Sequence, residues 1–340
     1  MCILLWAGTR DFFAPFQVSI GTLTAFVLLF QRFFAPIVAL GDEWQTVQRA
    51  LAGAERIFQV LALEPEPSLQ GGAAPTTLQP RANGWGTDGA AVELHDVVFG
   101  YREDQPVLHG ISVRVDPGEH VAVVGRTGAG KSSALHLLAG LYRPWQGTVR
   151  IAGVDPRSLA EDERRRLLGA VPQIVQLFQG TVRENLTLGD PSVPDQAVRR
   201  AAEITGAARF VETLPAGYDT VLGGAGRGEG VQLSGGQRQL LSLTRALVWD
   251  PLVLLLDEAT AAVDSASEAA FRAALRRFVA ERGRVVVTVA HRLSTAHEAD
   301  RVVVFHAGRI AEEGSPAELV RHGGRFAALL ALEAAGWEWR

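Results

Sequence analysis

Residues 125–132, with the sequence GRTGAGKS, constrain this chain more than any other segment. They follow the apolar run His120–Val124 and precede a helical pattern over residues 133–141. Glycines at this spacing before Lys-Ser let backbone N–H groups converge on phosphate oxygens, and the N-terminus of the following helix adds partial positive charge. The segment therefore predicts a phosphate-binding loop between a strand and a helix.

Lys131 is the only lysine of the chain, although arginines are plentiful. A compact ammonium on a flexible stem fits a phosphate cradle better than a planar guanidinium. We therefore expect Lys131 to reach the β- and γ-phosphates of a nucleotide and the Ser132 hydroxyl to bind Mg²⁺. The predicted phosphate-loop contacts are Gly125, Arg126, Thr127, Gly128, Ala129, Gly130, Lys131, Ser132 and Ser133.

Composition limits the class of protein. The chain has 340 residues, 47% of them hydrophobic, and a net charge of −4. The length allows a large domain plus a smaller one, and the charge argues against a nucleic-acid binder. Cys2 is the single cysteine, which excludes an internal disulfide framework and a thiolate zinc cluster.

The N-terminal region predicts a membrane-spanning helix. Residues 12–30 contain no charged side chain, and residues 33–40 extend the apolar character past Arg32, so the run is long enough to cross a bilayer. A buried helix of a soluble domain is the alternative, because Arg32 and Pro36 weaken the run. From residue 42 to 63 the pattern becomes amphipathic, which predicts that the helix continues into water.

Residues 64–91 are rich in Pro, Gly, Ala and Thr without periodicity, and predict a linker between a first domain of residues 1–63 and a second of 92–340. The second domain alternates strand-like and helical runs, which indicates a mainly parallel sheet covered by helices. Residues 175–233 have mostly helical periodicity and predict an inserted helical subdomain. The predicted strands cover residues 92–99, 111–115, 120–124, 148–151, 252–256, 284–289 and 301–305.

An apolar strand over residues 252–256 ends in two carboxylates, Asp257 and Glu258. Asp257 at the carboxyl end of a strand is predicted to hold Mg²⁺, usually through water, since a hard cation prefers oxygen ligands. Glu258 is predicted to polarise the attacking water as a general base or by orienting it.

A second anion-binding helix start is predicted at residues 233–237, LSGGQ, before a helical pattern that extends to Trp249. Ser234, Gly235, Gly236 and Gln237 place unpaired N–H groups at a helix N-terminus. Alone, this segment predicts only an ordinary helix cap. Together with the phosphate loop and the carboxylate strand it resembles the signature sequence of ATP-binding cassette proteins.

Four further residues match that family at its spacing. Tyr101 resembles the aromatic residue that stacks on adenine, and Gln173 the glutamine that contacts Mg²⁺ and the attacking water. Asp264 lies in a segment that resembles the loop linking two nucleotide sites. His291 resembles the switch histidine at the γ-phosphate.

The resemblance implies a P-loop NTPase fold of the ABC type, with ATP and Mg²⁺ as ligands and ATP hydrolysis as the activity. It covers residues 92–332, and residues 19–61 look like the last transmembrane helix of an exporter half-transporter with its cytoplasmic extension. In the family, two cassette subunits sandwich two ATP molecules head to tail. The implied partners are therefore a second cassette subunit, a transmembrane domain and the lipid bilayer of the inner or plasma membrane, with the nucleotide domain in the cytoplasm.

The chain departs from the family in two respects. Such half-transporters carry six transmembrane helices before the cassette, whereas this sequence shows one and, in residues 3–9, a fragment resembling the preceding helix. We therefore expect a partial reading frame or a split gene, since one helix builds no translocation route. Residues 226–230, GRGEG, also replace the more usual Glu-Arg-Gly order before the signature.

Three other functions remain as alternatives. A cassette ATPase of translation or DNA repair would need no membrane helix, and an importer ATPase would begin near residue 92. A nucleotide-binding regulator is disfavoured by Glu258 and His291. With no nucleotide-site residue degenerate, we expect two competent sites in a homodimer.

Overall fold

The computed structural model describes residues 20–63, 89–223, 230–257, 265–280, 283–290 and 293–335. The chain divides into two compact units, Met1–Gln70 and Gly71–Arg340. The division falls inside residues 64–91, where the sequence predicts a linker. The domain bounds themselves stay a prediction.

The first unit contains one long helix, α1 (Ile20–Leu61), of 42 residues. Its segment Thr24–Leu61 is long enough to cross a membrane and contains an 18-residue window with a mean hydropathy of 1.7. The rings of Phe30 and Phe34, one helical turn apart, lie 4.4 Å apart. From residue 20 onward, the apolar run and the amphipathic extension are thus one continuous helix with Pro36 inside it, whereas residues 12–19 of the run lie outside the described residues.

The second unit is an α/β fold, as predicted. Its strands are β1 (Val92–Arg102), β2 (Gln105–Val115), β3 (His120–Val124), β4 (Gln146–Ile151), β5 (Leu168–Val171), β6 (Gly180–Thr181), β7 (Val221–Leu222), β8 (Val253–Asp257), β9 (Val285–Val289), β10 (Arg301–His306) and β11 (Arg309–Gly314). Its described α-helices are α2 (Lys131–Leu138), α3 (Glu161–Leu167), α4 (Val182–Thr187), α5 (Asp195–Thr205), α6 (Ala208–Val211), α7 (Gly235–Leu247), α8 (Ser265–Ala280), α9 (Leu293–Ala296), α10 (Pro316–His322) and α11 (Arg325–Ala334).

The central sheet has six strands in the order β11-β10-β3-β9-β8-β5. All its neighbouring strands pair in parallel except β10 and β11, which form an antiparallel edge. This confirms the mainly parallel sheet. Strand β5 was not predicted because it is four residues long and follows directly on a charged helix. Strand β11 was missed because the edge strand carries Arg309, Glu312 and Glu313 instead of an apolar run.

A second sheet is antiparallel, with the order β2-β1-β4. The β1–β2 hairpin extends beyond the predicted strands and contains several register shifts, or β-bulges. Bulges bend and twist a strand pair. Tyr101 lies near the end of β1, at the tip of this hairpin.

Strand β8 divides the core between the two faces of the central sheet. Side chains alternate along a strand, so Val253 and Leu255 pack into one core while Leu254 and Leu256 pack into another. The first core also contains the buried side of helix α2. The second contains apolar residues of α4, α5 and α7. The helices within residues 175–233 therefore pack on the face of the sheet opposite α2.

Strand β3 begins at His120, whose imidazole Nε2 shares a 3.0 Å hydrogen bond with Thr288 Oγ1 on the neighbouring strand β9. The His120 backbone N–H donates to Asp300 Oδ2 at 2.8 Å. Burial lowers the pKa of His120 below its ordinary value of 6.5, although Asp300 and Glu298 oppose the shift. The neutral imidazole is therefore the form that the folded chain favours.

This arrangement predicts an acid-sensitive fold. Since the folded-state pKa is depressed, the unfolded chain binds the additional proton as pH falls through about 6.5. Stability from His120 is present above that pH and is lost below it. His120→Gln, which keeps an amide near the Nε2 position and does not titrate, should weaken the pH dependence of the melting temperature between about pH 7 and 5.

Thr288→Val is the matched control, because it removes the hydrogen bond and leaves the imidazole to titrate. It should lower the melting temperature while keeping the wild-type pH dependence. Equal pH dependence in wild type and His120→Gln would show that His120 is not the source.

Candidate functional site

The phosphate loop connects β3 to α2 with the backbone conformations that glycine allows. Gly125 has φ 147° and Gly130 has φ 100°. A Cβ on Gly125 would lie 2.3 Å from the backbone oxygen of Phe305 in β10, so the loop passes directly against the next strand. Ala129 is buried and its N–H donates to the carbonyl of exposed Arg126 at 3.0 Å, which closes the turn.

Lys131 is the first residue of α2 and only 5% exposed. Its Nζ donates to the carbonyl oxygens of Gly125 at 2.7 Å and Arg126 at 3.1 Å. The single ammonium of the chain is therefore held against the inside of the loop. A buried cation stays charged only where oxygens surround it, which is also the environment that a phosphate provides.

Asp257 reaches the phosphate loop because of strand alternation. It lies two and four residues beyond Leu255 and Val253, whose side chains face the core shared with α2. The carboxyl ends of parallel strands meet at one edge of the sheet, so this side chain arrives beside the start of α2. Ser132 Oγ donates to Asp257 Oδ1 at 3.1 Å.

The pair of Ser132 and Asp257 fits a magnesium ion. A hydroxyl oxygen and a carboxylate oxygen at hydrogen-bond distance are hard ligands, and Mg²⁺ typically takes only one or two protein ligands alongside water and phosphate oxygens. Across the described ranges, no group of three or more His, Cys, Asp or Glu side chains could hold a metal on its own. The donor set therefore suits a metal that arrives with a phosphate.

A cleft of about 450 Å³ opens over the loop. Gln173 lies at this cleft, shortly after the end of β5, and Tyr101 approaches it from the second sheet. The structure thus brings two distant predicted residues to the phosphate loop. The cleft is lined by Tyr101, Val107, Thr127, Gly128, Gly130, Lys131, Ser132, Ser133 and Gln173.

The signature segment forms the start of α7 and does not line this cleft. Ser234 is the N-cap: its Oγ accepts from the Gln237 N–H at 3.2 Å, and Gln237 Oε1 accepts from the Ser234 N–H at 2.9 Å. This is a capping box. Gly235 and Gly236 follow in the first turn. The side chain of Gln237 is therefore engaged in the cap, and the four residues present a helix N-terminus elsewhere on the domain.

Glu258, Asp264 and His291 lie outside the described residues. The residues beside two of them are placed. Asp257 ends β8, and the Ala290 N–H donates to the Val123 carbonyl at 3.0 Å, which positions the end of β9 beside β3. The roles of these three residues stay predictions.

Residues 108–261, which include the phosphate loop and the signature helix, match the family model described as ABC transporter. The chain carries an ABC transporter domain. Its fold is accordingly the ABC-type P-loop NTPase fold, in which a mainly parallel sheet carries the phosphate loop and a helical part follows on the same chain.

Similarity extends beyond this domain to nearly the whole chain. An uncharacterised ABC transporter ATP-binding protein of Bacillus subtilis, YfiC, is 39% identical over 312 residues, which are 92% of this chain and 49% of that protein. An ATP-dependent lipid A-core flippase of Aromatoleum aromaticum is 39% identical over 319 residues, 93% of this chain and 50% of that protein. The chain thus spans about half the length of the curated relatives that it matches.

A solved structure is also similar over nearly the whole chain. A bacterial Atm1-family ABC exporter with ATP bound matches with a TM-score of 0.67 and 33% identity, over 93% of this chain and 53% of the exporter chain. The chain therefore resembles exporters over its ABC transporter domain and over the preceding helix.

Sequence reasoning missed two residues near the cleft. Val107 lines it, and His136 contacts Tyr101 through a 3.1 Å hydrogen bond between Nδ1 and the phenol oxygen. Neither belongs to a motif. Only the helical spacing of His136 from Lys131 and Ser133 on one short helix could have indicated that it lies near the loop.

Two of the three glycines of the loop, Gly125 and Gly128, give a stability prediction for the ABC transporter domain. Gly125→Ala forces a Cβ against backbone at an unfavourable φ, and should cost on the order of 3 kcal/mol of unfolding free energy. Gly128→Ala, also at positive φ, meets no atom within 4 Å and should cost only about 1 kcal/mol.

Melting temperatures of the two variants measure this difference. The difference between the two losses in melting temperature isolates the effect of the close approach of β10, because both glycines lie in the same loop at positive φ. Equal destabilisation would show that the loop relaxes away from Phe305.

Proposed function

We propose that this chain is the ATP-binding and ATP-hydrolysing part of an ABC exporter. The supporting observation is the meeting of Lys131, Ser132 and Asp257 at the carboxyl edge of the central sheet. A triphosphate needs a cation and a magnesium ligand side by side, and this edge offers both. Similarity to a solved ABC exporter over 93% of the chain supports the exporter role.

In this proposal the nucleotide lies along the cleft. Backbone N–H groups of the phosphate loop and the Lys131 ammonium bind the β- and γ-phosphates. Ser132 and Asp257 would hold Mg²⁺, Asp257 usually through water, and the ion would neutralise charge that develops on the phosphates. Tyr101, half-exposed at the cleft, stacks on the adenine, and Gln173 contacts the metal and the attacking water.

Hydrolysis requires Glu258 as the group that orients or deprotonates water and His291 at the γ-phosphate, as the family resemblance implies. Phosphoryl transfer depends mainly on positioning and charge neutralisation. A site with one missing part should therefore bind nucleotide and turn it over slowly.

The signature helix completes the site from a second chain. Ser234 lies apart from the cleft of its own chain, yet presents a preformed helix N-terminus suited to an anion. Head-to-tail pairing places Ser234 and Gly236 of one subunit at the γ-phosphate of the other, with Asp264 in the loop between the two sites. ATP binding closes this dimer and hydrolysis opens it.

The helix α1 anchors the domain in the membrane in this proposal. Its apolar segment is long enough to span, and Arg32 faces a protein interior or an aqueous path because a lipid-facing charge is costly. Further transmembrane helices, from this or another chain, complete the pathway. The ABC transporter domain then lies in the cytoplasm at the inner or plasma membrane.

Substitution of Lys131 tests nucleotide binding. Lys131→Ala removes charge-assisted hydrogen bonds and should weaken ATP binding roughly a hundredfold by calorimetry. Lys131→Arg keeps the charge but brings a planar fork to a site built for an ammonium, so its affinity should be intermediate. Wild-type affinity in Lys131→Ala would contradict the phosphate-cradle assignment.

Another capping box of the domain provides a control for the dimer. Ser315 caps α10 with Glu318 as Ser234 caps α7 with Gln237. Ser234→Ala and Ser315→Ala should each cost about 1 kcal/mol of stability. Only Ser234→Ala should also slow ATP hydrolysis, by about tenfold or more, because it removes a group from the partner's site.

Hydrolysis rates and the ATP-dependent dimer fraction on gel filtration separate the two effects. Loss of hydrolysis in both variants would reduce Ser234 to a structural cap. ATP binding by a wild-type chain that shows no turnover would favour a nucleotide-binding regulator instead.

A further inference from the structure

The phenol group of Tyr101 has two partners, both on helix α2. Its oxygen lies 3.1 Å from Ser133 Oγ and 3.1 Å from His136 Nδ1. Ser133 and His136 are three residues apart and thus lie on the same face of the helix. The hydroxyl end of Tyr101 is therefore tied to the helix that begins at the phosphate loop.

Two aromatic rings hold the other parts of Tyr101. Phe99 makes an edge contact with a centroid distance of 5.0 Å and an interplanar angle of 78°, and Tyr142 makes one at 5.2 Å and 86°. Edge contacts of this kind fix the plane of a ring. Tyr101 nevertheless remains 50% exposed, so part of the ring is accessible at the cleft.

The ring and the phosphate loop come from different sheets. Tyr101 ends β1 of the antiparallel sheet, whereas Ser132 and Ser133 follow β3 of the central sheet. A base that stacks on Tyr101 while its phosphates occupy the loop needs a fixed distance between the two sheets. The hydrogen bonds from Tyr101 to Ser133 and His136 span this junction.

We propose that His136 is a positioning residue for the base half of the nucleotide site: it holds the hydroxyl of Tyr101 and so sets the plane on which the purine stacks. The inference rests on the proposed function, since it assumes that a nucleotide base lies on Tyr101. His136 touches neither phosphate nor metal in this arrangement. Its contribution therefore concerns the base and not the triphosphate.

The two amide substitutions of His136 make a matched pair. The Asn amide group lies near the position of Nδ1, whereas the longer Gln side chain places its amide near Nε2. His136→Asn should keep the bond to Tyr101 and bind ATP nearly as wild type does. His136→Gln should lose the bond and bind about fivefold more weakly.

Helix propensity alone predicts the opposite ranking of the Asn and Gln variants. Gln is a better helix former than Asn, so a purely structural effect of position 136 would make His136→Asn the weaker variant. Melting temperatures of both variants, measured on the full chain in lipid nanodiscs, follow this structural effect separately. Rescue of binding by Asn and not by Gln is therefore specific to the hydrogen bond.

A comparison of two ligands separates the contribution of the base to binding from that of the phosphates. Dissociation constants are measured by calorimetry with Mg²⁺, once with ATP and once with inorganic triphosphate. We expect His136→Gln to weaken ATP binding and to leave triphosphate binding unchanged. Tyr101→Phe should weaken ATP binding at least as much, because it also loses the bond to Ser133, and His136→Gln should add no further loss in that background.

Each contrary result has a distinct meaning. Equal weakening of ATP and triphosphate binding in His136→Gln would overturn the inference, because His136 would then act on the phosphate loop. Equal ATP affinity in the Asn and Gln variants would also overturn it. If the wild-type chain binds ATP no more tightly than triphosphate, the stacking role of Tyr101 fails as well. If it binds neither ligand, the proposed function fails.

Discussion

The hydrogen bond between Ser132 and Asp257 depends on the parallel sheet, and the rest of the site depends on it in turn. The two residues are 125 positions apart, one in the segment that follows β3 and the other at the end of β8. Parallel strands end at a common edge, so a loop after one strand and a carboxylate at the end of another are brought together without any local sequence relation. Alternation along β8 then decides that Asp257 faces α2 and not the opposite core.

The two halves of the proposed nucleotide site lie on different sheets. The phosphate half rests on the central sheet, whose inner strands β10, β3, β9 and β8 are buried on both faces. The base half rests on the antiparallel hairpin, where bulges interrupt the pairing of β1 and β2. The contacts of Tyr101 with α2 connect these supports. The N-terminus of the signature helix is capped by Ser234 together with Gln237 of the same helix, and Ser234 is exposed.

Much of this could be predicted from the sequence because the phosphate loop and the carboxylate strand are local patterns. The glycines within residues 125–132 predict the turn locally, and the apolar run before Asp257 marks a buried strand. The edge strand β11 was missed because an exposed edge tolerates the charges of Arg309 and Glu313. His136 was missed because its role depends on the hairpin tip folding over α2, a contact between residues 35 positions apart.

The strand order has a consequence for biosynthesis. Strand β9 pairs with both β3 and β8 and lies between them, although it comes last of the three along the chain. A growing polypeptide that has just released Asp257 from the ribosome therefore still lacks the strand that sets the spacing between the two halves of the metal site. On this strand order, the proposed metal site can form only after residue 289 has been synthesised.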